Sequence, residues 1–188
     1  MYYFVHIPKT GGMWFRKFVE LNPQYNIETT GFHGARLFDA THPAIFCLRD
    51  PIDRFLSGLR MRWLDHRHDD IVHQVDYFLA NKERETSALN LPMTRYIGDM
   101  ETYKQHEHNI AVVFDFENYP YCVYDYFTDA NRDIENIVIN DTARSVNYNK
   151  TKYDLRSDQL TELNSIYADD IELYEYIKTR SYYASNES

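Results

Sequence analysis

The amino-acid sequence predicts an α/β fold in which helices flank a central parallel sheet. Three short apolar runs predict buried strands, at residues 2–7, 44–48 and 109–117. Each run leads into a predicted helix, and strands that alternate with helices are typical of a parallel sheet covered on both faces. In such folds ligands bind at the carboxyl ends of the strands. We therefore expect binding residues directly after the predicted strands.

The composition indicates a single domain that spans residues 1–188. Apolar residues make up 44% and aromatic residues 16% of the chain, which is enough for a sizeable core. The sequence has no run of eighteen apolar residues, and its first predicted strand begins at residue 2. We therefore expect a cytoplasmic protein with no membrane anchor and no signal peptide. Cys47 and Cys122 lie in apolar or aromatic runs and are expected to be small core residues.

The charge pattern limits the possible partners. A net charge of −9 argues against nucleic acid and against a strongly anionic partner spread over the whole surface. Basic residues crowd the segment 60–68, although aspartates interleave with them. The histidines at and after this segment match no metal-ligand spacing, so we expect no metal. The sequence does not indicate an oligomeric state.

The first strand ends in a segment suited to an anion. Pro8 is followed by Lys9, Thr10, Gly11 and Gly12, and then by a segment with helical spacing. Two glycines allow the backbone to turn with its N–H groups pointing inward, and a helix N-terminus adds unpaired N–H groups and a positive dipole end. Lys9 adds a positive charge and Thr10 a hydroxyl donor. A phosphate fits this junction, and the alternative is an ordinary glycine turn.

A second strand-to-helix junction follows the predicted strand 44–48. Asp50 is a good N-cap, Pro51 suits the first helical position, and Asp53 is placed as a capping-box acid. Arg49 stands at the end of the strand, and Ser57 follows about two turns along the helix. The planar guanidinium of arginine suits a phosphate, and a serine hydroxyl can complete the contact. The alternative is a plain capped helix with surface arginines.

Together the two junctions resemble a known family. The segment HIPKTGG at residues 6–12 resembles the 5′-phosphosulfate loop of sulfotransferases that use 3′-phosphoadenosine-5′-phosphosulfate (PAPS). The family's 3′-phosphate loop, R-[DN]-P-x-x-R-x-x-S, is matched by Arg49, Pro51, Arg54 and Ser57. The resemblance implies a P-loop-type three-layer fold and a sulfotransferase that transfers a sulfuryl group from PAPS to a hydroxyl, releasing adenosine 3′,5′-bisphosphate.

The resemblance also implies roles for individual residues. Lys9 would bridge the 5′-phosphate and the departing oxygen, while Thr10 and the amides of Gly11 and Gly12 would hold the 5′-phosphate. Arg49 and Ser57 would bind the 3′-phosphate. Arg54 would be structural, pairing with Asp50 or Asp53 on its own helix. The sequence departs from the family at Met13, where a threonine or serine donor is usual.

Transfer to an alcohol needs a base, and histidine suits that work near neutral pH. Sulfotransferases of the uronyl 2-O type are similar here, with a Tyr-His-Gly-His segment at a comparable distance before the arginine loop. His33 aligns with the first histidine of that segment, while Ala35 replaces the second. We expect His33 to be the base, with His42 or an acid such as Glu28 or Asp39 as the alternatives.

The rest of the chain gives weaker signals. The segment 89–97 resembles the family segment that closes over the acceptor, and Lys150 or Lys152 could reach a phosphate or form a solvated pair. Glu117 is expected to be structural. We also expect a short strand at 134–139, an amphipathic helix over 160–177 and a frayed tail after Tyr183.

The acceptor implied by the resemblance is a glycan or a glycan-like small molecule with a free hydroxyl. Two other classes stay open at this point. One is a P-loop kinase or nucleotidase, which the position of Lys9 before both glycines disfavours. The other is a catalytically silent nucleotide-binding module, which the departures at Met13 and Ala35 favour.

Overall fold

A computed structural model describes residues 1–29, 34–62, 70–84, 87, 89–133 and 151–184. Within these residues five strands form one sheet in the order β2-β1-β3-β4-β5, and every neighbouring pair is parallel. The strands are β1 (Tyr2–Phe4), β2 (Ile27–Glu28), β3 (Ala44–Leu48), β4 (Ile110–Asp115) and β5 (Tyr183–Ala184). The predicted α/β fold with a parallel sheet is confirmed.

Helices connect these strands and cover the sheet. The α-helices of the described residues are α1 (Gly12–Leu21), α2 (Pro51–Arg62), α3 (Ile71–Asn81), α4 (Thr94–Ile97), α5 (Met100–His106), α6 (Tyr121–Tyr126), α7 (Ser157–Ile166) and α8 (Ala168–Lys178). None of the helices in these residues is long and apolar enough to cross a membrane.

Alternation along the strands sends side chains to two separate cores. Phe46 and Leu48 of β3 point to one face, where they pack against α4, α5 and α8, while Ile45 and Cys47 point to the other face and pack against α1 and α6. Helices therefore cover both faces of the sheet. A third cluster joins α2, α3 and α7 around Phe55.

A register shift in β4 changes the alternation of its side chains. Ala44 pairs with Ile110, but Ile45 pairs with Val112, so the pairing skips Ala111. The extra residue places Ile110 and Val113 on the same face, although they are separated by an odd number of positions.

The sequence analysis did not predict either edge strand. β2 and β5 have two residues each, which is too short for an alternating pattern to be recognised. The tail that we expected to fray after Tyr183 includes Ala184, which pairs with Phe114 in the sheet. The predicted helix over 160–177 is instead two helices that meet at Tyr167. The predicted strand at 134–139 lies outside the described residues.

The strand order creates a crevice at one edge of the sheet. β1 and β3 are neighbours, but α1 after β1 packs on one face, whereas α2 after β3 contacts α8 on the other side. Two chain segments that leave adjacent parallel strands in opposite directions open a crevice at the carboxyl ends, the usual ligand site of such folds. Both predicted phosphate junctions therefore meet at this crevice.

Candidate functional site

The backbone after β1 forms a tight loop with two left-handed residues. Lys9 has φ 69° and Gly11 has φ 85°. Gly11 is the N-cap of α1 and provides no side-chain cap, and the N–H of Phe15 donates to the Gly11 carbonyl at 3.1 Å. The N–H groups before Phe15 thus begin the helix without an earlier carbonyl of the helix to bind. A non-glycine residue in this conformation is strained, and such strain concentrates at functional sites.

Position 12 needs a glycine because the ring of His6 lies against it, and the sequence analysis assigned no role to His6. His6 is buried at the end of the first apolar run, and a Cβ on Gly12 would overlap its imidazole ring. His6 also stacks on Phe4, with ring centroids 5.9 Å apart. The histidine therefore supports the loop from below, and the sequence signalled it only by its position two residues before Pro8 in the motif.

Thr10 is placed differently from the prediction. Its side chain is fully buried, and its hydroxyl donates to the Ile7 carbonyl at 2.8 Å. The hydroxyl proton is thus used to close the turn, so the hydroxyl is engaged with the protein's own backbone. The remaining donors of this loop are backbone N–H groups.

Lys9 lies in an unusual electrostatic environment. Its ammonium donates to the thioether of Met61 at 3.3 Å, and no carboxylate among the described residues forms an ion pair with it. Burial first, and then the positive charges of Arg49 and Arg60, lower the pKa of Lys9 to about 8. A thioether is a weak acceptor. The ammonium therefore lacks a strong partner within the described residues.

Arg49 borders the same loop from the end of β3. One guanidinium nitrogen, Nη1, donates to the Lys9 carbonyl at 3.3 Å, and the guanidinium carbon lies 4.3 Å from the ring centre of Phe116. The Nε of Arg49 is buried without a hydrogen-bond partner among the described residues. Burial lowers the pKa of Arg49, and Arg60 adds to that effect, whereas Asp53, Glu117 and Asp50 oppose it.

The cap of α2 is confirmed in part. Asp50 Oδ1 accepts the N–H groups of Ile52 at 3.0 Å and Asp53 at 3.1 Å. Asp53 does not complete a capping box with its own helix in the described hydrogen bonds, because its carboxylate accepts the backbone N–H of Lys152 at 2.8 Å. The Lys152 ammonium donates to Asp50 at 2.6 Å, so this lysine neutralises the cap. Lys150 lies outside the described residues.

Arg54 has a different partner from the one we expected. Its side chain is fully buried and lies 3.9 Å from the carboxylate of Asp170 on α8 rather than paired with Asp50 or Asp53. Nη2 of Arg54 also donates to the Leu91 carbonyl at 2.6 Å. Asp170 in turn accepts the N–H groups of Met93 at 2.6 Å and Thr94 at 3.0 Å. Arg54 is thus a link between α2, α8 and the segment before α4.

Ser57 lies on the face of α2 that contacts the loop. It is half-buried, and it precedes Arg60 and Met61 by three and four residues, the spacing of neighbours on one helix face. Met61 contacts the Lys9 ammonium. The structure therefore brings Lys9 and Arg49 into contact, and helix spacing puts Ser57 on the face of α2 that carries Met61.

The described alternatives to the predicted base are not brought to this region. His33 lies outside the described residues. His42 precedes β3 at the amino edge of the sheet, which the length of β3 separates from the carboxyl edge by roughly 13 Å at ~3.3 Å per residue. Glu28 pairs with Tyr3, which in turn pairs with Ala44 at the start of β3, so Glu28 lies toward the amino edge. Asp39 precedes Ala40, whose carbonyl accepts a hydrogen bond from Asn109 just before β4, so Asp39 lies toward the same edge.

Two residues of the site escaped the sequence reasoning. Arg60 was grouped with the basic segment 60–68, yet it is buried and acts on both Lys9 and Arg49. Phe116 follows a strand in an aromatic stretch and gave no separate signal, although it supports the Arg49 guanidinium. Among the described residues, no group of three or more histidines, cysteines or acids could hold a metal.

The site combines three cations, left-handed loop residues and a helix N-terminus at the crevice between β1 and β3. Such an arrangement can bind a ligand with more than one anionic group. No protein-family model, curated protein or solved structure matches this chain.

Proposed function

We propose that this protein is a PAPS-dependent sulfotransferase that transfers a sulfuryl group to an acceptor hydroxyl. The observation that carries the proposal is the placement of Lys9 and Arg49 at the carboxyl ends of neighbouring strands. Neither cation forms an ion pair with a carboxylate among the described residues, and Nε of Arg49 is buried without a partner there. Buried charges are normally paired, so this excess of positive charge indicates an anionic ligand.

The residues present fit the two anionic ends of PAPS, which supplies the sulfuryl group. Lys9 and the N–H groups of Gly11 and Gly12 suit the 5′ end of the nucleotide. Arg49 and Ser57 suit the 3′-phosphate. Thr10 contributes through its backbone, since its hydroxyl is bound to Ile7.

In the proposed reaction, the acceptor oxygen forms a bond to sulfur while the bond between sulfur and the 5′-phosphate oxygen breaks. The acceptor proton passes to a base, for which the resemblance proposes His33, and adenosine 3′,5′-bisphosphate leaves. Lys9 places positive charge where negative charge develops on the departing oxygen. Its pKa of about 8 leaves the ammonium mostly protonated near pH 7.

The acceptor that fits best is a neutral glycan or a glycan-like alcohol. A protein with a net charge of −9 repels a polyanion outside the local cation cluster. Free buried Cys47 and Cys122 are in keeping with a reducing compartment, so we place the reaction in the cytoplasm.

The proposal is tested by incubating the protein with radiolabelled PAPS and a panel of neutral mono- and disaccharides, phenols and simple alcohols. We expect label transfer to at least one hydroxyl, and loss of roughly 100-fold or more of the transfer in Lys9→Gln. Arg132→Gln is the matched control, because it removes one positive charge from a guanidinium that lies over the Tyr124 ring and not at the proposed site. Equal transfer by Lys9→Gln and the parent would overturn the role of Lys9.

A nucleotide-binding module without transfer is the second candidate. Two observations favour it: the Thr10 hydroxyl is already engaged, and the described alternatives to His33 lie toward the amino edge. Binding of PAPS without transfer to any member of the panel would support this candidate against the enzyme.

A further inference from the structure

Met61 lies against the ammonium that we assign to the ligand. It is the last residue but one of α2, and its thioether sulfur accepts a hydrogen bond from the Lys9 ammonium at 3.3 Å. The two residues are 52 positions apart in the chain, so the contact depends on how α2 lies beside the loop after β1. A thioether is a weak acceptor, and an anionic ligand can therefore displace it from Lys9.

Met61 is also open to solvent. Its exposed fraction is 42%, whereas Met93 is fully buried in the core that contains α8. A dissolved oxidant reaches an exposed methionine more readily than a buried one, and oxidation of a buried methionine disrupts the core. Because much of the Met61 side chain is in water, a polar group at its sulfur should cost the fold little.

Oxidation would change what this sulfur offers to Lys9. With hydrogen peroxide as the oxidant, one oxygen atom passes to the thioether: a sulfur–oxygen bond forms, the oxygen–oxygen bond breaks, and water leaves. The sulfur is oxidised and the peroxide is reduced. The product is a polar sulfoxide, whose oxygen is a much stronger hydrogen-bond acceptor for an ammonium than a thioether is.

A sulfoxide at position 61 would compete with an anionic ligand for Lys9. In the reduced protein, Met61 is the hydrogen-bond partner of the Lys9 ammonium among the described residues. The ligand then displaces only a weak acceptor. In the oxidised protein it would have to displace a strong acceptor that α2 already holds beside the ammonium, and the flexible methionine side chain can turn that acceptor toward Lys9.

We propose that Met61 is a site of reversible oxidation, and that its sulfoxide occupies the Lys9 ammonium and lowers the affinity of the site for anions. The modification and its effect on Lys9 rest on the contact between these two side chains. The identity of the ligand as adenosine 3′,5′-bisphosphate rests on the proposed function.

The experiment treats the parent, Met61→Leu and Met13→Leu with hydrogen peroxide and follows each methionine by peptide mass spectrometry. Met13 is the matched control, because it is also 42% exposed and lies in the first turn of α1. Calorimetric titration measures the affinity for inorganic pyrophosphate and for the bisphosphate before and after treatment. We expect oxidation to weaken both affinities by about tenfold or more in the parent and in Met13→Leu. In Met61→Leu, which keeps the apolar volume but has no sulfur, the change should stay below about twofold.

Two further variants separate an effect on Lys9 from general oxidative damage. Lys9→Gln has no ammonium, so oxidation should change its residual affinity by less than about twofold. Met61→Gln carries a permanent amide acceptor and should bind pyrophosphate more weakly than Met61→Leu without any peroxide. Treatment of the oxidised parent with the two methionine sulfoxide reductases, one for each sulfoxide epimer, should restore the affinity.

The proposal is wrong if Met61 stays reduced while Met13 is oxidised. It is also wrong if oxidised Met61→Leu loses as much affinity as the oxidised parent, or if oxidation weakens Lys9→Gln as much as the parent. If the parent binds pyrophosphate but not the bisphosphate, the proposed function fails, and the pyrophosphate titrations still decide the role of Met61. If the parent binds neither ligand, both proposals fail.

Discussion

Arg49 and Arg54 stand five residues apart in one motif, yet the fold uses them in opposite ways. Arg54 is fully buried, lies 3.9 Å from the carboxylate of Asp170, and donates to a carbonyl. Arg49 lies beside the Lys9 loop and forms no ion pair among the described residues, although Asp53, Glu117 and Asp50 as well as Arg60 act on its charge. A buried nitrogen without a partner does not separate the two arginines, because Nε of Arg49 and Nε and Nη1 of Arg54 all lack one among the described residues. Arg54 is fully buried and Arg49 only partly so, and the two also differ in whether a carboxylate forms an ion pair with them.

This difference distinguishes a structural charge from a functional one. Asp170 compensates Arg54 within the protein, and the pair joins α2 to α8 and to the segment before α4. No carboxylate of the described residues compensates Lys9 in this way. A charge that the fold completes contributes to stability, whereas a charge that the fold leaves incomplete is available to a ligand.

The largest expected effect is the loss of the buried pair. Arg54→Met leaves the Asp170 carboxylate buried without its cation, and we expect the free energy of unfolding to fall by about 3–5 kcal/mol. Urea denaturation measures this change. Arg49→Met is the matched control, and its free energy of unfolding should stay within about 1 kcal/mol of the parent. Equal destabilisation by the two variants would remove the distinction between the arginines.

A smaller effect is expected at Lys9, in binding rather than in stability. Lys9→Gln should weaken the binding of adenosine 3′,5′-bisphosphate by roughly 10- to 100-fold, as expected for the loss of a charged hydrogen bond. The free energy of unfolding should not fall, because the ammonium has only Met61 as its hydrogen-bond partner in the described residues. Calorimetric titration and urea denaturation of the same variant check both statements. A destabilised variant with normal affinity would contradict them.

The pH dependence should show the same contrast. The folded-state pKa of Lys9 is lowered to about 8, so above that pH the folded protein loses a proton that the unfolded chain keeps until about pH 10.4. The stability of the unliganded protein should therefore gain from Lys9 as pH rises between these values. Bisphosphate affinity should fall over the same range, by up to about tenfold per pH unit. Calorimetric titrations at several pH values measure the bisphosphate affinity. If the affinity of the parent were as independent of pH as that of Lys9→Gln, the role of Lys9 in binding would be contradicted.

The smallest expected effect concerns an exposed ion pair, which serves as a reference for the buried pair of Arg54 and Asp170. Lys82 and Glu162 are 2.9 Å apart and join the end of α3 to α7, with both side chains close to half exposed. Lys82→Gln should change the free energy of unfolding by about 0–1 kcal/mol, because water screens both charges. Urea denaturation of Lys82→Gln and Arg54→Met under the same conditions compares the two changes in the free energy of unfolding. A change as large as that of Arg54→Met would mean that burial does not control these pairs.

The sequence predicts the parts of the site that are local. β3 has the predicted bounds, Gly11 has the left-handed conformation that the glycine turn requires, and Asp50 caps α2 as expected. These features depend on neighbours within a few residues. The partner of Arg54 is far along the chain, so the local motif suggested Asp50 or Asp53 instead. Arg60 and Phe116 join the site only through the packing of α2 and the turn after β4.

The edge strands and the role of Thr10 could not be predicted from the sequence, for physical reasons. The edge strands β2 and β5 form because their neighbours β1 and β4 offer free backbone groups, and two residues carry no periodicity of their own. Thr10 has the residue type of a phosphate donor, but its hydroxyl donates to the nearby Ile7 carbonyl. The role of His33 stays a prediction.

The central claim is that the cations at the crevice between β1 and β3 form a bisphosphate site. Calorimetric titration of the parent and of Arg49→Met with adenosine 3′,5′-bisphosphate, adenosine 5′-monophosphate and ATP tests it most directly. We predict that the parent binds the bisphosphate more tightly than the other two nucleotides and that Arg49→Met loses this preference. Absence of binding, tighter binding of ATP, or an unchanged preference in Arg49→Met would contradict the claim.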